Sequence, residues 1–568
     1  MASDSSSLPA PVNLVVVRRA LVSVSDKSGL APLAALLKRW NIETISTGGT
    51  AKALELQGVR VVPIEQVTGW PEMLDGRVKT LHPKVHGGLL AVRGKPEHEA
   101  ALRAHEISPI DLVCVNLYPF EQTLAAARGR TLPEGEAIEQ IDIGGPSMIR
   151  SAAKNFAGVA VLTDWSQLEA LDQELAKNDG ATTLALRRRL AGDAFSRTAR
   201  YDAAIGAWFA SKLDASNDAS GEQNQERLPV RLVLELDRLQ PMRYGENPHQ
   251  HAAAYRVRTI GGAPAAGATG EPEGVIGARH LHGKELSYNN VNDASAAMGL
   301  SRAIAQAMGE AQTSVGACVV KHANPCGASA AKSAERAVEL ALAGDPLAAY
   351  GGILACSAPL DAAAARHVAR REVFLEAVLA PSFTPEALDL LTAKSGTMRL
   401  LEVGVDGSTS GVLEYRSVSG GMLVQGRDEL LTPPANHTHR AGPRVNDEML
   451  LAARFLEPVV RALTSNAVCI GGWTPQRDAM MLFGAGAGQM DRLTACRIAC
   501  EKAGERARGG VAHSDAFFPF DDGPRILIDA GVTLIVHPGG SKRDGDTFNL
   551  CDERGVTCLT TQTRHFRH

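Results

Sequence analysis

A chain of 568 residues, 45% hydrophobic and 21% charged, is long enough for about two to four globular domains with sizeable cores. Its net charge of −4 and pI near 6.5 lack the basic footprint of a nucleic-acid binder. Nine irregularly spaced cysteines without a C-x-x-C speak against a disulfide framework, and no apolar run is long enough to cross a bilayer.

Residues 1–14 are Ser- and Pro-rich without a basic start, which predicts a disordered leader on a cytoplasmic protein. Arg19 to Val24 is a strand candidate that exits through Ser25-Asp26-Lys27. Leu30, Leu33, Ala34 and Leu37 then follow helical spacing. A strand at Ile42 to Ile45 leads into Thr47-Gly48-Gly49-Thr50 and another helix. Further strands are expected at Val59–Val62, Leu112–Asn116 and Val159–Leu162. This alternation predicts a doubly wound parallel sheet over about 15–165. A helical stretch, Thr182 to Lys212, and a polar linker at 214–227 close the first domain. Gly261 to Gly274 looks like a surface insertion. Strand-like runs resume at Val315–Val320, Gly352–Cys356, Ala377–Leu379, Ala467–Ile470 and Val532–Val536.

Several segments carry chemistry. Ser23, Ser25 and Lys27 leave the first strand, and Thr47 to Thr50 open a helix. Backbone N–H groups at a helix start, hydroxyls and an ammonium make an anion site, although turns and caps use the same residues. Arg77-Val78-Lys79-Thr80-Leu81-His82-Pro83 with Lys84-Val85-His86 forms a cationic cluster whose neighbouring acid in sequence is Asp75. An anionic substrate or plain solvation accounts for it. Asp142-Ile143-Gly144-Gly145-Pro146-Ser147 reads as a strand exit and helix start. Ser147, Arg150, Ser151 and Lys154 share one face of that helix, which suggests that Lys154 stands over the same sheet edge as Asp142; an ordinary amphipathic helix gives the same pattern.

Lys321-His322 ends the apolar run from Val315, and Asn324-Pro325-Cys326-Gly327 reads as a tight turn. A cation and an imidazole at a sheet rim are suited to moving protons near neutrality, or are the solvated end of a strand. Arg243 to Gln250 is rich in groups for an anion or heterocycle. Asp515 to Asp522 places three Phe in a chain with 4% aromatics, which suits stacking on a flat ligand or burial in a core. The basic end Arg564 to His568 needs to dock back to take part in a site. Zinc deaminases use H-x-E with P-C-x-x-C. Here Pro325-Cys326 begins such a string, but Ser329 stands at its end and no His starts an H-x-E. There is no H-E-x-x-H, Walker A or G-x-G-x-x-G match.

Taken together, Ser23 to Lys27, Ser46 to Thr50, Gly76 to Pro83, Asn116 to Phe120, Asp142 to Gly145, Arg243 to Gln250, Lys321-His322, Arg416 to Gln425 and Asp515 to Phe520 resemble the bifunctional AICAR formyltransferase/IMP cyclohydrolase family of purine biosynthesis. The resemblance runs in order from about residue 19 to the end. It implies an α/β fold: a methylglyoxal-synthase-like cyclohydrolase domain at 15–230, and a formyltransferase domain at 231–568 built of two cytidine-deaminase-like lobes without zinc. It also implies 10-formyltetrahydrofolate as cosubstrate, AICAR, FAICAR and IMP as small-molecule partners, no catalytic metal, and a homodimer that shares its formyltransferase sites.

Roles follow position by position from that resemblance. His322 resembles the formyltransferase base, with Lys321 assisting. Arg243, Tyr244, Gly351, Glu376, Asn466, Arg492, Phe517 and Arg564 resemble ribonucleotide contacts, and Leu493, Phe520, Asp522, Gly539 and Gly540 the folate side. In the first domain Ser25, Asp26, Lys27, Thr47, Gly48, Gly49, Thr50, Arg77, Val78, Thr80, Asn116 and Ile143 resemble nucleotide contacts. Lys154 resembles the cyclohydrolase lysine, with Lys79, Tyr118 and Asp142 as helpers. Tyr350, His537 and Thr464 depart from residues common in the family. A formyltransferase with an inactive first domain, or a purine or folate sensor without chemistry, are the competing readings.

Overall fold

A computed structural model describes residues 9–74, 76–126, 133–217, 228, 231–260, 263–264, 274–309, 314–404 and 413–568. The chain divides into two compact units, one up to Glu235 with Val257–Ala265, the other Leu236–Arg256 with Ala266–His568.

In the first unit five parallel strands stand in the order β3-β2-β1-β4-β5. They are β1 (Arg19–Val24), β2 (Glu43–Ser46), β3 (Val61–Pro63), β4 (Leu112–Asn116) and β5 (Ala160–Leu162). Leu21, Val113 and Val161 are fully buried, as expected where helices cover both faces of a parallel sheet. Helix α1 (Leu30–Arg39) buries Leu30, Leu33, Ala34 and Leu37, the stripe that its spacing predicts. The chain winds outward from β1 to β3 and then crosses to β4 and β5. The switch point therefore lies between the carboxyl ends of β1 and β4. Helices α2 (Gly48–Leu56), α3 (Pro83–Leu90) and α4 (Gly144–Lys154) follow, and α5 (Leu184–Asn217) packs on α4.

Three expectations for this unit change. Residues 1–8 of the leader lie outside the described residues, but order begins before residue 14. Leu14–Val16 pairs antiparallel with Ala181–Thr183, and buried Arg187 donates to the carbonyls of Val12 at 2.7 Å and Asn13 at 3.3 Å. A buried guanidinium must find acceptors, and the passing backbone supplies them. The linker begins later than residue 214, because α5 continues to Asn217; residues 218–227 lie outside the described residues. Asp142 follows the short helix Glu134–Glu139 and a loop rather than a strand. Of the 261–274 segment, Ala263–Pro264 pairs with Thr259–Ile260, and 261–262 and 265–273 lie outside the described residues.

The second unit holds one twelve-stranded sheet. Its first lobe contains β6 (Arg279–His282), α6 (Tyr288–Met308), β7 (Val315–Lys321), β8 (Asn324–Ala331), α7 (Ala334–Ala343), β9 (Gly352–Cys356), β10 (Leu375–Ala380) and β11 (Arg399–Glu402). Its second contains β12 (Thr438–Ala441), α8 (Asp447–Ala462), β13 (Val468–Trp473), β14 (Met480–Gly486), α9 (Arg492–Ala503), β15 (Val511–Ser514), β16 (Leu534–His537) and β17 (Thr557–Thr560). The order is β6-β11-β10-β9-β7-β8-β14-β13-β15-β16-β17-β12. Each lobe thus repeats one plan: edge strand, helix, hairpin, helix, then three parallel strands. The lobes join where β8 pairs antiparallel with β14, Ser329 opposite Met481. Along β7, Ala317 and Val319 enter one core layer while Cys318 and Val320 enter the other.

The turn expected at Asn324–Gly327 is the start of β8. Lys321 pairs with Asn324, and the two-residue turn is His322-Ala323, both at positive φ (53° and 57°), as in a type I′ hairpin. Pro325 lacks a ladder donor, and the register shifts so that Val320 faces Pro325 and Val319 faces Gly327. Gly327 serves close packing: a Cβ there would lie 1.9 Å from the Ala341 carbonyl of α7. Among the described residues no helix is long and apolar enough to cross a membrane.

Candidate active sites

At the switch point of the first unit, the Asn116 Oδ1 at the end of β4 accepts from the N–H groups of Ser25 (2.6 Å) and Asp26 (3.0 Å). Its Nδ2 donates to the Asp26 carbonyl at 3.0 Å. The loop after β1 is therefore fixed against the neighbouring strand. N–H and hydroxyl bonds from Ser28 hold the Asp26 carboxyl below its ordinary range. Thr47 precedes α2 without a side-chain cap bond, and Gly48 takes φ +41°. The Lys27 Nζ lies 3.9 Å from where a Gly49 Cβ would sit, so an ammonium and a helix start face the same space. Thr50 is buried and exchanges hydrogen bonds with the Val24 backbone, which makes it a staple between α2 and β1.

Across the same rim, α4 begins at Gly144, where a Cβ would lie 2.7 Å from the Thr80 Oγ1. Asp142 accepts from the Gly145 N–H at 2.8 Å, and its own N–H donates to the Tyr201 hydroxyl at 2.7 Å. Burial pushes that phenol up to about 12. Burial also holds the Asp142 carboxyl above the ordinary carboxylate range, against the pull of the Gly145 N–H and the nearby Lys79 ammonium. The carboxyl also interacts with the backbone N–H of half-exposed Tyr118. Val78 forms a bridge with Met73. The cationic cluster is less bare than its sequence suggests. Arg77 pairs with Glu139, and Glu72 reaches the Gly76 turn beside Lys79; Asp75 lies outside the described residues. Ile143 is exposed at the start of α4.

Lys154 does not share this rim. It is exposed in the last turn of α4, and ten residues of helix separate it from Gly144, about 15 Å along the axis. Ser147, Arg150, Ser151 and Lys154 do lie on the open face of α4, opposite buried Met148, Ile149, Ala152 and Ala153. A shared face says nothing of height, however, and the first turn of α4, not the last, meets the switch point. Midway, the His86 Nδ1 meets the Ser151 Oγ at 3.0 Å, and burial lowers the His86 pKa.

In the second unit the His322 turn marks one rim of the long sheet. Ile353 lies opposite Val320, so the amino ends of β9 to β11 reach that rim. Val468 pairs with Gly486 and Ser514, so the carboxyl ends of β15 to β17 reach it from the other lobe. Lys321 is half-buried and donates to the Tyr350 carbonyl at 2.7 Å, while His322 is exposed. Beside them Gly351 takes φ +73°. Glu376 pairs with Arg399 at 2.6 Å and approaches the Asn290 amide at 3.5 Å. Arg243 is exposed with its guanidinium 5.6 Å over the Tyr244 ring, and Asn289 of α6 donates to the Glu246 carbonyl of the same loop at 3.4 Å.

On the other side, the Asn324 Oδ1 accepts from the Thr464 N–H at 2.9 Å, linking the hairpin to the segment that enters β13. Asn466 donates to the Gln489 carbonyl at 2.9 Å and accepts from Arg492 at 2.7 Å. Arg492 is buried and also bonds Ser514 (2.9 Å) and Asp515. Its Nη groups are thus engaged by the protein, which makes it an organiser of the rim. Phe518 enters the core, while Phe517 and Phe520 stay partly exposed. Arg543 lies 5.0 Å over the Phe520 ring. Leu493 and Asp522 stand in the first turns of their helices, and Gly539 and Gly540 leave β16 at φ +73° and +99°. Arg564 is exposed, 4.4 Å over Phe566. The tail does dock back: the Arg567 Nη1 donates to the Ala323 carbonyl at 2.9 Å.

These residues share a rim but not one pocket. Gly351 and Asp515 are five strand spacings apart, about 24 Å along the sheet. Asp293, Asn324 and Arg567 all bond to the His322 turn. Asn324 and Arg567 lie in the expected turn and the basic tail, whereas Asp293 does not stand out in the sequence. The signal for Asp293 is the cluster of polar residues after Ser287.

A family model described as AICARFT/IMPCHase bienzyme matches residues 152–502, and one described as MGS-like domain matches 29–147. The Bifunctional purine biosynthesis protein PurH of Synechococcus sp. is 45% identical over 562 residues, covering 97% of this chain and 99% of that protein. The protein of the same name from Listeria monocytogenes is 43% identical over 553 residues, covering 97% and 100%. The crystal structure of ForH covers 34% of this chain and 97% of its own at 35% identity, with a TM-score of 0.30.

Proposed function

Because this chain belongs to the AICARFT/IMPCHase bienzyme family, and is an AICAR formyltransferase and IMP cyclohydrolase of purine biosynthesis, we propose how its two units divide the work. The first unit closes the ring of FAICAR to IMP. The second transfers the formyl group from 10-formyltetrahydrofolate to AICAR.

The observation that carries the ring-closure assignment is Asp142, a carboxyl raised by burial beside Lys79 at an α/β switch point. In this reading the Ser25–Lys27 loop, the start of α2 from Thr47 to Gly49, and Arg77, Thr80 and Asn116 hold the nucleotide, its phosphate near Lys27. Val78 and Ile143 border it, and Thr50 stiffens it. The carboxamide nitrogen attacks the formyl carbon and loses one proton, and the formamido nitrogen loses the other as it forms the ring C=N bond. The formyl oxygen takes up both and leaves as water. Asp142, held nearer neutrality, exchanges these protons, and Lys79 offsets charge on the oxygen, with Tyr118 alongside. The step is intramolecular, so holding the two groups together contributes much of the rate. Lys154, at the far end of α4, is not a proton carrier in this reading.

For formyl transfer, His322 takes the proton of the weakly nucleophilic AICAR amine as that nitrogen attacks the formyl carbon. Lys321, with one ammonium hydrogen on the Tyr350 carbonyl, retains two N–H groups for the developing oxyanion and the folate nitrogen that leaves. Phe520 with Arg543 fits a flat conjugated ring that carries an anionic tail, and Leu493, Asp522, Gly539 and Gly540 border it. Arg243, Tyr244, Gly351, Glu376, Asn466, Phe517 and Arg564 are assigned to the ribonucleotide. One AICAR cannot span a 24 Å stretch of rim, and this supports a homodimer in which each site draws on both subunits. The nine free cysteines, seven of them buried, are consistent with a reducing cytoplasm.

Purified protein is given FAICAR alone, and separately AICAR with 10-formyltetrahydrofolate. IMP is expected from both mixtures. No IMP from FAICAR would refute the ring-closure assignment, and no release of tetrahydrofolate would refute the transfer assignment.

A further inference from the structure

The hairpin tip that carries His322 is exposed, yet its sequence is His-Ala, with neither Gly nor Asn at the two positive-φ positions. An L-residue in the left-handed region costs about 1 kcal/mol, so the backbone conformation of this turn depends on the contacts that hold it. All four of its backbone polar groups are taken. The Asp293 Oδ2 accepts from the His322 N–H at 3.0 Å, and the Oδ1 from the Ala323 N–H at 2.8 Å. The Asn324 amide donates to the His322 carbonyl at 3.0 Å, and Arg567 to the Ala323 carbonyl at 2.9 Å.

Asp293 belongs to a rigid element. It stands in the second turn of α6, which Ser287 caps and which buries Ala294, Ala297, Leu300 and Ile304 against the sheet. The Cys318 thiol of β7 donates to the Ala297 carbonyl at 3.1 Å, tying helix to hairpin. A carboxylate fixed in this way holds both N–H groups of the turn and leaves the imidazole free.

We infer that Asp293 is a positioning residue for formyl transfer: its bidentate grip on the strained turn sets where the His322 imidazole stands relative to Lys321. This rests on His322 being the base of that reaction. Asp293 itself touches no reacting atom; it acts through the backbone of His322.

The test is steady-state kinetics of both reactions in Asp293→Ala, Asp293→Asn and the double variant Asp293→Ala with Ala323→Gly. For Asp293→Ala, kcat of formyl transfer should fall about 10- to 100-fold, as misplacement of a catalytic group by about 1 Å predicts, with KM for AICAR kept within about twofold. Ring closure in the same preparation should stay at the wild-type rate, which reports a folded chain. Asp293→Asn, which keeps one acceptor, should fall between. Glycine carries no penalty at positive φ, so Ala323→Gly should restore about fivefold to the Asp293→Ala variant. A rise in KM with kcat kept would show a substrate contact instead and overturn the inference. So would a fall in kcat that glycine does not restore. His322→Ala is assayed in parallel: if it retains transfer, the base assignment fails, whereas loss there with an unaffected Asp293→Ala overturns the positioning role alone.

Discussion

The carboxyl-terminal tail is held by a buried charge, and its loss can be followed with pH. His565 is 1% exposed, with Nδ1 2.8 Å from Asp428 and Nε2 3.4 Å from Glu457. Burial opposes the imidazolium, but the bonds to Asp428 and Glu457 outweigh it and raise the pKa from 6.5 to about 9. Burial would raise Glu457, yet His565 and the Thr432 bonds hold it at about 2. Burial keeps His513 beside them neutral, near 4. The rise from 6.5 to about 9 corresponds to roughly 3 kcal/mol, counted once for the coupled group. A raised histidine stabilises in full below pH 6.5, and that stabilisation is lost as pH climbs through 9. His565→Ala removes it at every pH and leaves Glu457 buried without its cation. At about 2 °C per kcal/mol for a unit of this size, the variant should melt roughly 6 °C below wild type at pH 6 to 7. The gap should narrow above pH 9 to the remainder due to lost packing. Thermal unfolding from pH 6 to 10 measures this. A gap that does not change with pH would show that the imidazolium does not hold the tail.

Other outcomes follow from the first unit. Asp142→Asn keeps the shape but not the titration, so turnover of FAICAR should fall about 10²- to 10⁴-fold while formyl transfer persists. In Gly145→Ala the new Cβ would meet the Asp142 Oδ2 at 2.3 Å and Leu117 at 2.9 Å. The carboxyl must move, and ring closure should fall about 10²-fold with formyl transfer again as the folding control. Lys154→Ala should change ring closure by less than about tenfold, since a residue about 15 Å along α4 does not meet the reacting atoms. A 10²-fold loss at unchanged Tm would contradict that placement.

What the sequence made legible was what local spacing encodes. Leu30, Leu33, Ala34 and Leu37 announce α1, and the apolar run from Val315 announces β7, because burial on one stripe or on both faces leaves a periodic trace. The strings around Ser25, Thr47, Arg77, Asn116 and Asp142 do meet at one switch point, as strand order in an α/β sheet requires. Long-range pairing leaves no such trace. The junction of β8 with β14 through Ser329 and Met481 makes one sheet of two lobes, and nothing near either residue signals the other. The hairpin misled for a specific reason. Pro325 and Gly327 carry turn chemistry but serve a bulge and a close helix contact, while the true turn, His322-Ala323, is held by Asp293 from a distant helix. Lys154 misled differently, because helical periodicity gives the face of a residue and not its height above the rim.

The most direct test of the division of labour is His322→Ala, assayed for both reactions in one preparation. Formyl transfer from 10-formyltetrahydrofolate to AICAR should be lost by about 10²-fold or more, and FAICAR should still close to IMP at the wild-type rate. Retained formyl transfer, or loss of ring closure in protein with an unchanged Tm, would contradict it.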